Sequence, residues 1–161
     1  MAISVGDTLP EASFQIMTED GPALKTISEL CDGKKVIIFG LPGAFTPTCH
    51  ASHLPGFLEN LDAFREKGID DIAVTTVNDI HVTNAWAKET GGSGKIHYLA
   101  DGNGDFAKSI GMDVDLSVAG MGVRSKRYAM VVDNRAVTHI NIEDAPGQAV
   151  ISSAAALLEE L

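Results

Sequence analysis

The spacing of hydrophobic positions changes from segment to segment and predicts strands that alternate with helices. Short apolar or alternating runs, typical of strands, occupy residues 14–17, 35–39, 72–77, 96–100, 128–132 and 136–142. The run 35–39 is almost wholly apolar, which indicates a strand buried on both faces of a sheet. The last two runs flank a polar turn at 133–135 and predict a β-hairpin.

Apolar positions at helical spacing predict helices between these strands. The helix after Cys49 carries an apolar face, is expected to kink at 54–55 and ends at Gly68; the face consists of Phe57, Leu58, Leu61 and Phe64. Further helices are expected at 28–32 with Ser28 as cap, 82–90 ended by 91–92, 105–110 closed by Gly111, and 150–161. Residues 18–22 are predicted to turn, whereas 112–123 show no period that assigns them to an element.

The order of these elements predicts an α/β fold over residues 1–161 as a single domain. A β-α-β unit followed by β-β-α is the thioredoxin-like arrangement, with a central mixed sheet flanked by helices. The strand at 14–17 then forms an N-terminal extension. The unassigned residues form a short insert before the final hairpin.

Composition and charge limit the classes of function. The chain has 161 residues, is 45% hydrophobic and 21% charged, and carries a formal net charge of −10. An acidic protein without a basic cluster repels nucleic acid and anionic membranes, so neither is an expected partner. No apolar stretch approaches the roughly 20 residues that span a bilayer, and the N-terminus does not read as a signal peptide. Two cysteines form no disulfide framework, and a cytoplasmic location is expected.

Candidate chemistry centres on Cys49. The apolar strand 35–39 leads into a proline- and glycine-containing loop, and a helix pattern begins soon after Cys49. The sulfur is therefore expected in the first turn of a helix, where free backbone N–H groups and the helix dipole favour an anion. A thiolate is such an anion and is the nucleophilic form of cysteine.

The loop also carries a family resemblance. Pro42, Thr46 and Cys49 have the spacing Pro-x-x-x-Thr-x-x-Cys, and the stretches 40–49 and 53–57 together resemble the active-site region of the atypical, type II peroxiredoxins. Residues 77–79, Trp86 and 126–128 are similar to that subgroup in the same order. The resemblance covers nearly the whole chain and implies a thiol-dependent peroxidase without a cofactor, acting on hydrogen peroxide and small organic hydroperoxides.

The resemblance also implies roles for individual residues. Cys49 attacks the peroxide and becomes a sulfenic acid, while the Thr46 hydroxyl and the Cys49 backbone N–H donate to the peroxide oxygens. Pro42 shields the sulfur. The residues alone do not show which arginine lies beside the sulfur; the candidates are Arg65, Arg124, Arg127 and Arg135. The family pattern indicates Arg127. Two roles are open for His53: it supports that arginine, or it serves packing or a dimer contact. The resemblance also implies a homodimer that uses the face near the loop.

Two metal interpretations of the sequence are weak. Cys49, His50 and His53 are close in sequence, but a structural zinc site requires four ligands and Cys31 forms no pair with Cys49. The stretch 101–112 lacks the glycine and the glutamate of a calcium loop at its sixth and twelfth positions. We therefore expect no bound metal.

The position of Cys31 decides how the sulfenic acid is resolved. Cys31 precedes the strand 35–39 and Cys49 follows it, so the two sulfurs are expected at opposite ends of the sheet, too far apart for a disulfide. The sequence therefore predicts a one-cysteine mechanism resolved by an external thiol: glutathione with glutaredoxin, or thioredoxin. The alternatives are a peroxide sensor or holdase that signals through Cys49 oxidation and, less favoured, a thiol transferase.

Overall fold

A computed structural model describes residues 2–145 and 147–161 and places a mixed sheet at the centre of the molecule. Its strands are β1 Ser13–Thr18, β2 Gly21–Thr26, β3 Lys35–Leu41, β4 Asp71–Thr76, β5 His97–Ala100, β8 Tyr128–Asp133 and β9 Ala136–Ile142, in the order β2-β1-β5-β4-β3-β8-β9. Between β5 and β8 a separate two-stranded ribbon pairs β6 Asp113–Asp115 with β7 Val123–Ser125.

Helices connect these strands. They are α1 Ile27–Cys31, a π-helical turn Cys49–His53, α2 Leu54–Glu59, α3 Leu61–Glu66, α4 Ile80–Thr90, α5 Asp105–Ser109, a 3₁₀ turn Ser117–Ala119 and α6 Ala154–Glu160. Among the residues described, no helix is both long enough and apolar enough to cross a membrane.

The strand directions confirm the predicted central mixed sheet flanked by helices. β3, β4 and β5 run parallel, whereas β8 lies antiparallel to β3 and pairs with β9 in the predicted hairpin. Asn134 and Arg135 both have positive φ, as a tight hairpin turn of the right twist requires. Because β3 is central and apolar, six of its seven residues are buried.

The sheet separates two apolar cores, because successive side chains of a strand point to opposite faces. Val36, Ile38, Met130 and Val132 face one core, which also contains Cys31. The other core lies against α2 and contains Cys49; its β3 and β8 members are Ile37, Phe39, Leu41, Ala129 and Val131. The two cysteines therefore belong to different cores on opposite faces of the sheet.

The helix boundaries differ from the sequence expectation in three places. Thr26, not Ser28, caps α1. The Thr26 hydroxyl accepts from Glu29 N–H, and the Glu29 carboxylate accepts from Thr26 N–H. The helix after Cys49 is interrupted at Asn60, where ψ is 18°. The C-terminal helix begins four residues later than expected, since Ser153 caps it by accepting from Ala156 N.

Two strand assignments also differ. The expected turn 18–22 is shorter in the structure and occupies residues 19–20, and the strand β2 that begins at Gly21 was not predicted. β2 lies at the edge of the sheet with mostly exposed side chains, so it shows no alternation of buried and exposed positions. The unassigned residues 112–123 form most of the β6–β7 ribbon and the 3₁₀ turn.

Candidate active site

The loop after β3 presents Cys49 near the start of a helix. Thr46 N–H and the Thr46 hydroxyl both donate to the Gly43 carbonyl, at 3.4 and 2.7 Å, and His50 N–H donates to the Thr46 carbonyl at 2.9 Å. Pro47 is the first helical residue, a position that needs no N–H donor. The Cys49 amide thus lies among the first N–H groups of the helix, which have no carbonyl one turn back.

Cys49 begins a π-helical turn rather than a regular α-helical one. Leu54 N–H donates to the Cys49 carbonyl five residues back, and Pro55, which follows, has no N–H with which to close an α-helical bond. Cys49 and His53 bracket this turn and are both buried. The wide turn therefore presents the sulfur and the imidazole to the same neighbour.

That neighbour is Arg127. Its Nη2 donates to the Cys49 Sγ at 3.0 Å, and its Nη1 lies 3.0 Å from His53 Nδ1. Arg127 immediately precedes β8, and the antiparallel register pairs Tyr128 with Gly40 near the end of β3. The start of β8 therefore lies beside the loop that carries Cys49, although 78 positions separate the two residues in sequence.

Hydrogen bonds determine the tautomer of His53. Its Nε2 lies 3.0 Å from the Ser152 carbonyl, which can only accept, so Nε2 carries the proton. The unprotonated Nδ1 then accepts from the guanidinium of Arg127. Burial, and secondly the charge of Arg127, lower the pKa of His53 from 6.5 to about 4, so the ring is neutral near pH 7.

Further hydrogen bonds hold the loop from outside. Ala44 N–H donates to Asn78 Oδ1 at 2.9 Å. Arg124 donates through Nη1 to the Pro42 carbonyl at 3.1 Å and through Nε to the Met121 carbonyl at 2.9 Å. The β6–β7 ribbon is therefore tied to the loop by Arg124, a residue that the sequence offered only as one of four candidate cations.

A last contact anchors the residue after the cysteine. Trp86 Nε1 donates to His50 Nδ1 at 3.0 Å, so the proton of neutral His50 lies on Nε2.

Within residues 2–145 and 147–161, no group of three His, Cys, Asp or Glu side chains has an arrangement that could hold a metal ion.

The structure brings together some of the predicted site residues more closely than others. Cys49, Arg127 and His53 form one hydrogen-bonded group. Thr46 lies in the same loop, but its hydroxyl proton is engaged by Gly43, which differs from the expected role of a donor toward the substrate. Pro42 is buried and its carbonyl accepts from Arg124; its packing over the sulfur stays a prediction.

Sequence reasoning missed four residues that support this group. Asn78 matched the family pattern without an assigned role, and Arg124 could not be distinguished from other arginines. Glu143 and Ser152 carry no motif, and their connection to His53 appears only when the end of β9 and the segment before α6 meet in space.

Comparisons with known proteins show the family to which the chain belongs. A model of the family described as Redoxin matches residues 4–158. Peroxiredoxin-2C of Oryza sativa subsp. japonica is 44% identical over 160 residues, which cover 99% of this chain and 98% of the relative.

Two solved structures are similar over almost the whole chain. Reduced Prx3 of Vibrio vulnificus in complex with hydrogen peroxide has a TM-score of 0.92 at 41% identity and covers 98% of each chain. The antioxidant protein of Plasmodium falciparum, a 1-Cys peroxiredoxin, has a TM-score of 0.90 at 32% identity and also covers 98% of each chain.

Proposed function

Because the chain belongs to the redoxin family and is a peroxiredoxin, we propose that Cys49 reduces hydrogen peroxide and small organic hydroperoxides and is then resolved by an external thiol. The family and the thioredoxin-like fold predicted from the sequence are confirmed by the relatives. The observation that carries the proposed role of Cys49 is the guanidinium of Arg127 on its sulfur at 3.0 Å.

The proposed reaction oxidises the sulfur by two electrons. The Cys49 thiolate attacks one peroxide oxygen, an S–O bond forms, and the O–O bond breaks with its electron pair on the leaving oxygen. That oxygen takes a proton from solvent and departs as water or an alcohol, leaving Cys49 as a sulfenic acid. Negative charge moves from sulfur to oxygen, so N–H donors beside both atoms stabilise the transition state.

Hydrogen-bonding capacities suggest how the substrate is oriented. Arg127 and the Cys49 amide are donors, whereas the Thr46 hydroxyl uses its proton on Gly43 and can meet a peroxide as acceptor. A hydroperoxide has one O–H to donate and oxygen lone pairs to accept. We therefore assign Thr46 to the peroxide hydroxyl and Arg127 to the oxygens.

The positions of the cysteines support a one-cysteine mechanism. Cys31 is fully buried in one core and Cys49 in the other, at opposite ends of β3 and on opposite faces of the sheet. Burial raises the pKa of Cys31 to about 11, so it is a poor source of thiolate near pH 7. The similar Plasmodium falciparum protein is itself described as a 1-Cys peroxiredoxin.

The external reductant is proposed to be glutathione with glutaredoxin, or thioredoxin. Since Cys49 is fully buried, a protein thiol reaches its sulfur only when the turn Cys49–His53 opens. A low-molecular-weight thiol needs a smaller opening. This difference makes the choice of reductant measurable by comparing turnover with each system in the same coupled assay.

The test combines a rapid and a steady-state measurement. Stopped-flow mixing of reduced protein with hydrogen peroxide should give oxidation much faster than that of free cysteine, and Cys49→Ser should abolish it. Sustained peroxide consumption with excess reductant is expected; a single stoichiometric oxidation would instead indicate a sensor. A Cys31–Cys49 peptide as the main product in mass spectrometry would contradict the one-cysteine mechanism.

We also propose a homodimer that uses the face near the active-site loop. Phe45 of the loop is 48% exposed, and Val118 and Val123 are exposed in the segment that Arg124 ties to the loop. Burying these side chains against a second copy would remove apolar area from water. Sedimentation equilibrium should give a dimer for the wild type and a shift toward monomer for Val118→Asp.

A further inference from the structure

A buried carboxylate lies behind the His53–Arg127–Cys49 group. Glu143 Oε2 accepts three hydrogen bonds from the segment that precedes α6: Val150 N–H at 2.9 Å, Ser152 N–H at 2.7 Å and the Ser152 hydroxyl at 2.6 Å. All three donors approach one oxygen. Glu143 thus determines the position of Ser152, the residue whose carbonyl accepts from His53.

Glu143 is itself positioned by Arg127. It follows β9, and its N–H donates to the Arg127 carbonyl at 2.9 Å, which extends the β8–β9 ladder by one pair. The residue is only 8% exposed. Burial would raise the pKa of Glu143, but the hydrogen bonds from Ser152 and Val150 outweigh it and hold the pKa below its ordinary value, so the carboxylate is ionised near pH 7.

These contacts form one continuous path with a defined direction for every hydrogen bond. Ser152 donates to Glu143 and accepts from His53 Nε2–H; His53 Nδ1 then accepts from Arg127, which donates to the Cys49 sulfur. If the Ser152 carbonyl turns away, the proton on Nε2 loses its acceptor, and on this path the contact with Arg127 alone still favours that tautomer. A proton on Nδ1 would point at the guanidinium and break the bond that orients Arg127.

We propose that Glu143 is a positioning residue for peroxide reduction: through Ser152 and His53 it holds Arg127 in the orientation that contacts the Cys49 sulfur. The proposal rests on the peroxidase function proposed above. Glu143 does not touch the reacting atoms. Its contribution is the precise placement of a cation, and displacing such a group by about 1 Å can cost roughly a hundredfold in rate.

A purely structural role is the competing explanation, because the same bonds anchor the start of α6. Ser153 offers a matched control. Its hydroxyl accepts from Ala156 N at 3.2 Å and donates to the Val150 carbonyl at 2.7 Å, so it stabilises the same segment and helix from the other side. Ser153→Ala therefore weakens the anchor while every bond between Glu143 and Cys49 remains.

The experiment compares Glu143→Gln with Ser153→Ala in stopped-flow oxidation by hydrogen peroxide. The amide of Glu143→Gln is isosteric but neutral, and its single acceptor oxygen forms weaker bonds with three donors. We expect the second-order rate constant to fall about tenfold or more in Glu143→Gln and less than about twofold in Ser153→Ala. Urea unfolding shows whether the two variants lose comparable stability.

Nitrogen-15 NMR of the histidine rings supplies a second readout that a loss of stability alone does not change. The wild type and Ser153→Ala should show His53 protonated on Nε2 only, whereas Glu143→Gln should show a mixture of tautomers. A rate within twofold of the wild type, an unchanged tautomer, or an equal loss in Ser153→Ala would each overturn the proposal.

Ser152→Ala tests the same path if Glu143→Gln does not fold. It removes the hydroxyl bond to Glu143 but keeps the backbone N–H and carbonyl, so a smaller loss of about threefold is expected, and a wild-type rate overturns the proposal. The wild-type protein separates this test from that of the function itself. Slow wild-type oxidation refutes the peroxidase, whereas fast oxidation in both the wild type and the Glu143 variant refutes only the role of Glu143.

Discussion

At the scale of single residues, the site depends on the forked shape of Arg127. One guanidinium nitrogen donates to the Cys49 sulfur and the other to His53, so these contacts fix the orientation of the side chain. Lysine has the same charge but concentrates its donors on one nitrogen at the end of a flexible stem. Charge alone therefore does not account for the choice of arginine here.

Arg127→Lys should reduce the rate of oxidation by hydrogen peroxide by roughly a hundredfold, because the ammonium cannot contact His53 and the sulfur in the same geometry. Stopped-flow kinetics at several peroxide concentrations measures the second-order constant. Arg65→Lys is the matched control, since the Arg65 side chain is 62% exposed and pairs with Asp62 on the surface. An equal rate in Arg127→Lys and Arg65→Lys would show that only the charge matters.

His53 makes the free energy of unfolding depend on pH. Its pKa is about 4 in the folded protein against 6.5 ordinarily, so the unfolded chain binds the proton more readily and acid favours unfolding. The stability that neutral His53 contributes is complete above about pH 6.5 and declines toward pH 4, by about 3 kcal/mol in total.

The non-titrating variant His53→Gln isolates this effect. Urea unfolding of both proteins between about pH 7 and pH 4 should show the stability of the wild type relative to His53→Gln falling by about 3 kcal/mol. The other ionisable groups are common to both proteins and cancel in the difference. A difference that stays constant over this range would mean that His53 is not buried in its neutral form.

At the scale of elements, the site depends on how closely β3 and β8 pack. Gly40 and Tyr128 are paired in the antiparallel register, and a Cβ on Gly40 would lie 2.6 Å from the Tyr128 ring carbon Cζ. Tyr128 is fully buried and directly follows Arg127, so its ring has little room to move. A glycine at this point lets β8 approach the end of β3.

Gly40→Ala should lower the free energy of unfolding by about 2–3 kcal/mol, because the added methyl overlaps a buried ring. Gly56→Ala is a control of opposite sign: Gly56 lies in α2, and a Cβ there would come no closer than 3.7 Å to Ala154. Alanine in a helix is favoured over glycine by about 0.5–1 kcal/mol. Equal stabilities of the two variants in urea titration would contradict this account of the strand contact.

The elements that the sequence predicts best are those whose burial follows a regular period. The strand 35–39 is recognisable because both its faces are covered, and the end of α4 because Gly91 closes it in a left-handed conformation. The start of α4 lies two residues before the expected position, because Asp79 caps it. β2 has no such signal, since its side chains are mostly exposed and, among the described strands, it pairs with β1 alone. The π-helical turn is likewise hidden, because Pro55 after the turn prevents an α-helical bond at its own position but does not by itself specify a wide turn before it.

At the scale of the whole molecule, the sequence suffices to propose Cys49 as the nucleophile but does not reveal the path of hydrogen bonds behind it. Cys49 and its loop are contiguous, so a local motif suffices. Arg127, Glu143 and Ser152 reach the site from separate elements, and their distances from His53 in sequence follow only from the sheet order. A resemblance selects Arg127, whereas Glu143 becomes visible only through its contacts.

The division of the molecule by its sheet leads to a prediction for Cys31. Its side chain is fully buried and burial raises its pKa to about 11, so it reacts with an alkylating reagent only after the covering core opens. In Cys49→Ser, the rate at which iodoacetamide labels Cys31 should equal the rate for a free thiol multiplied by the unfolded fraction of the protein. Urea titration gives that fraction. The labelling rate should then rise with urea in parallel with unfolding.

The reciprocal variant Cys31→Ser provides the control, because it should keep rapid oxidation of Cys49 by peroxide. Labelling of Cys31 that is much faster than global unfolding would reveal a local opening of this core. Such an opening is what a disulfide with Cys49 requires, since the two sulfurs lie on opposite faces of the sheet. Fast labelling would therefore contradict the rigidity of this core and remove the burial of Cys31 as support for an external resolving thiol.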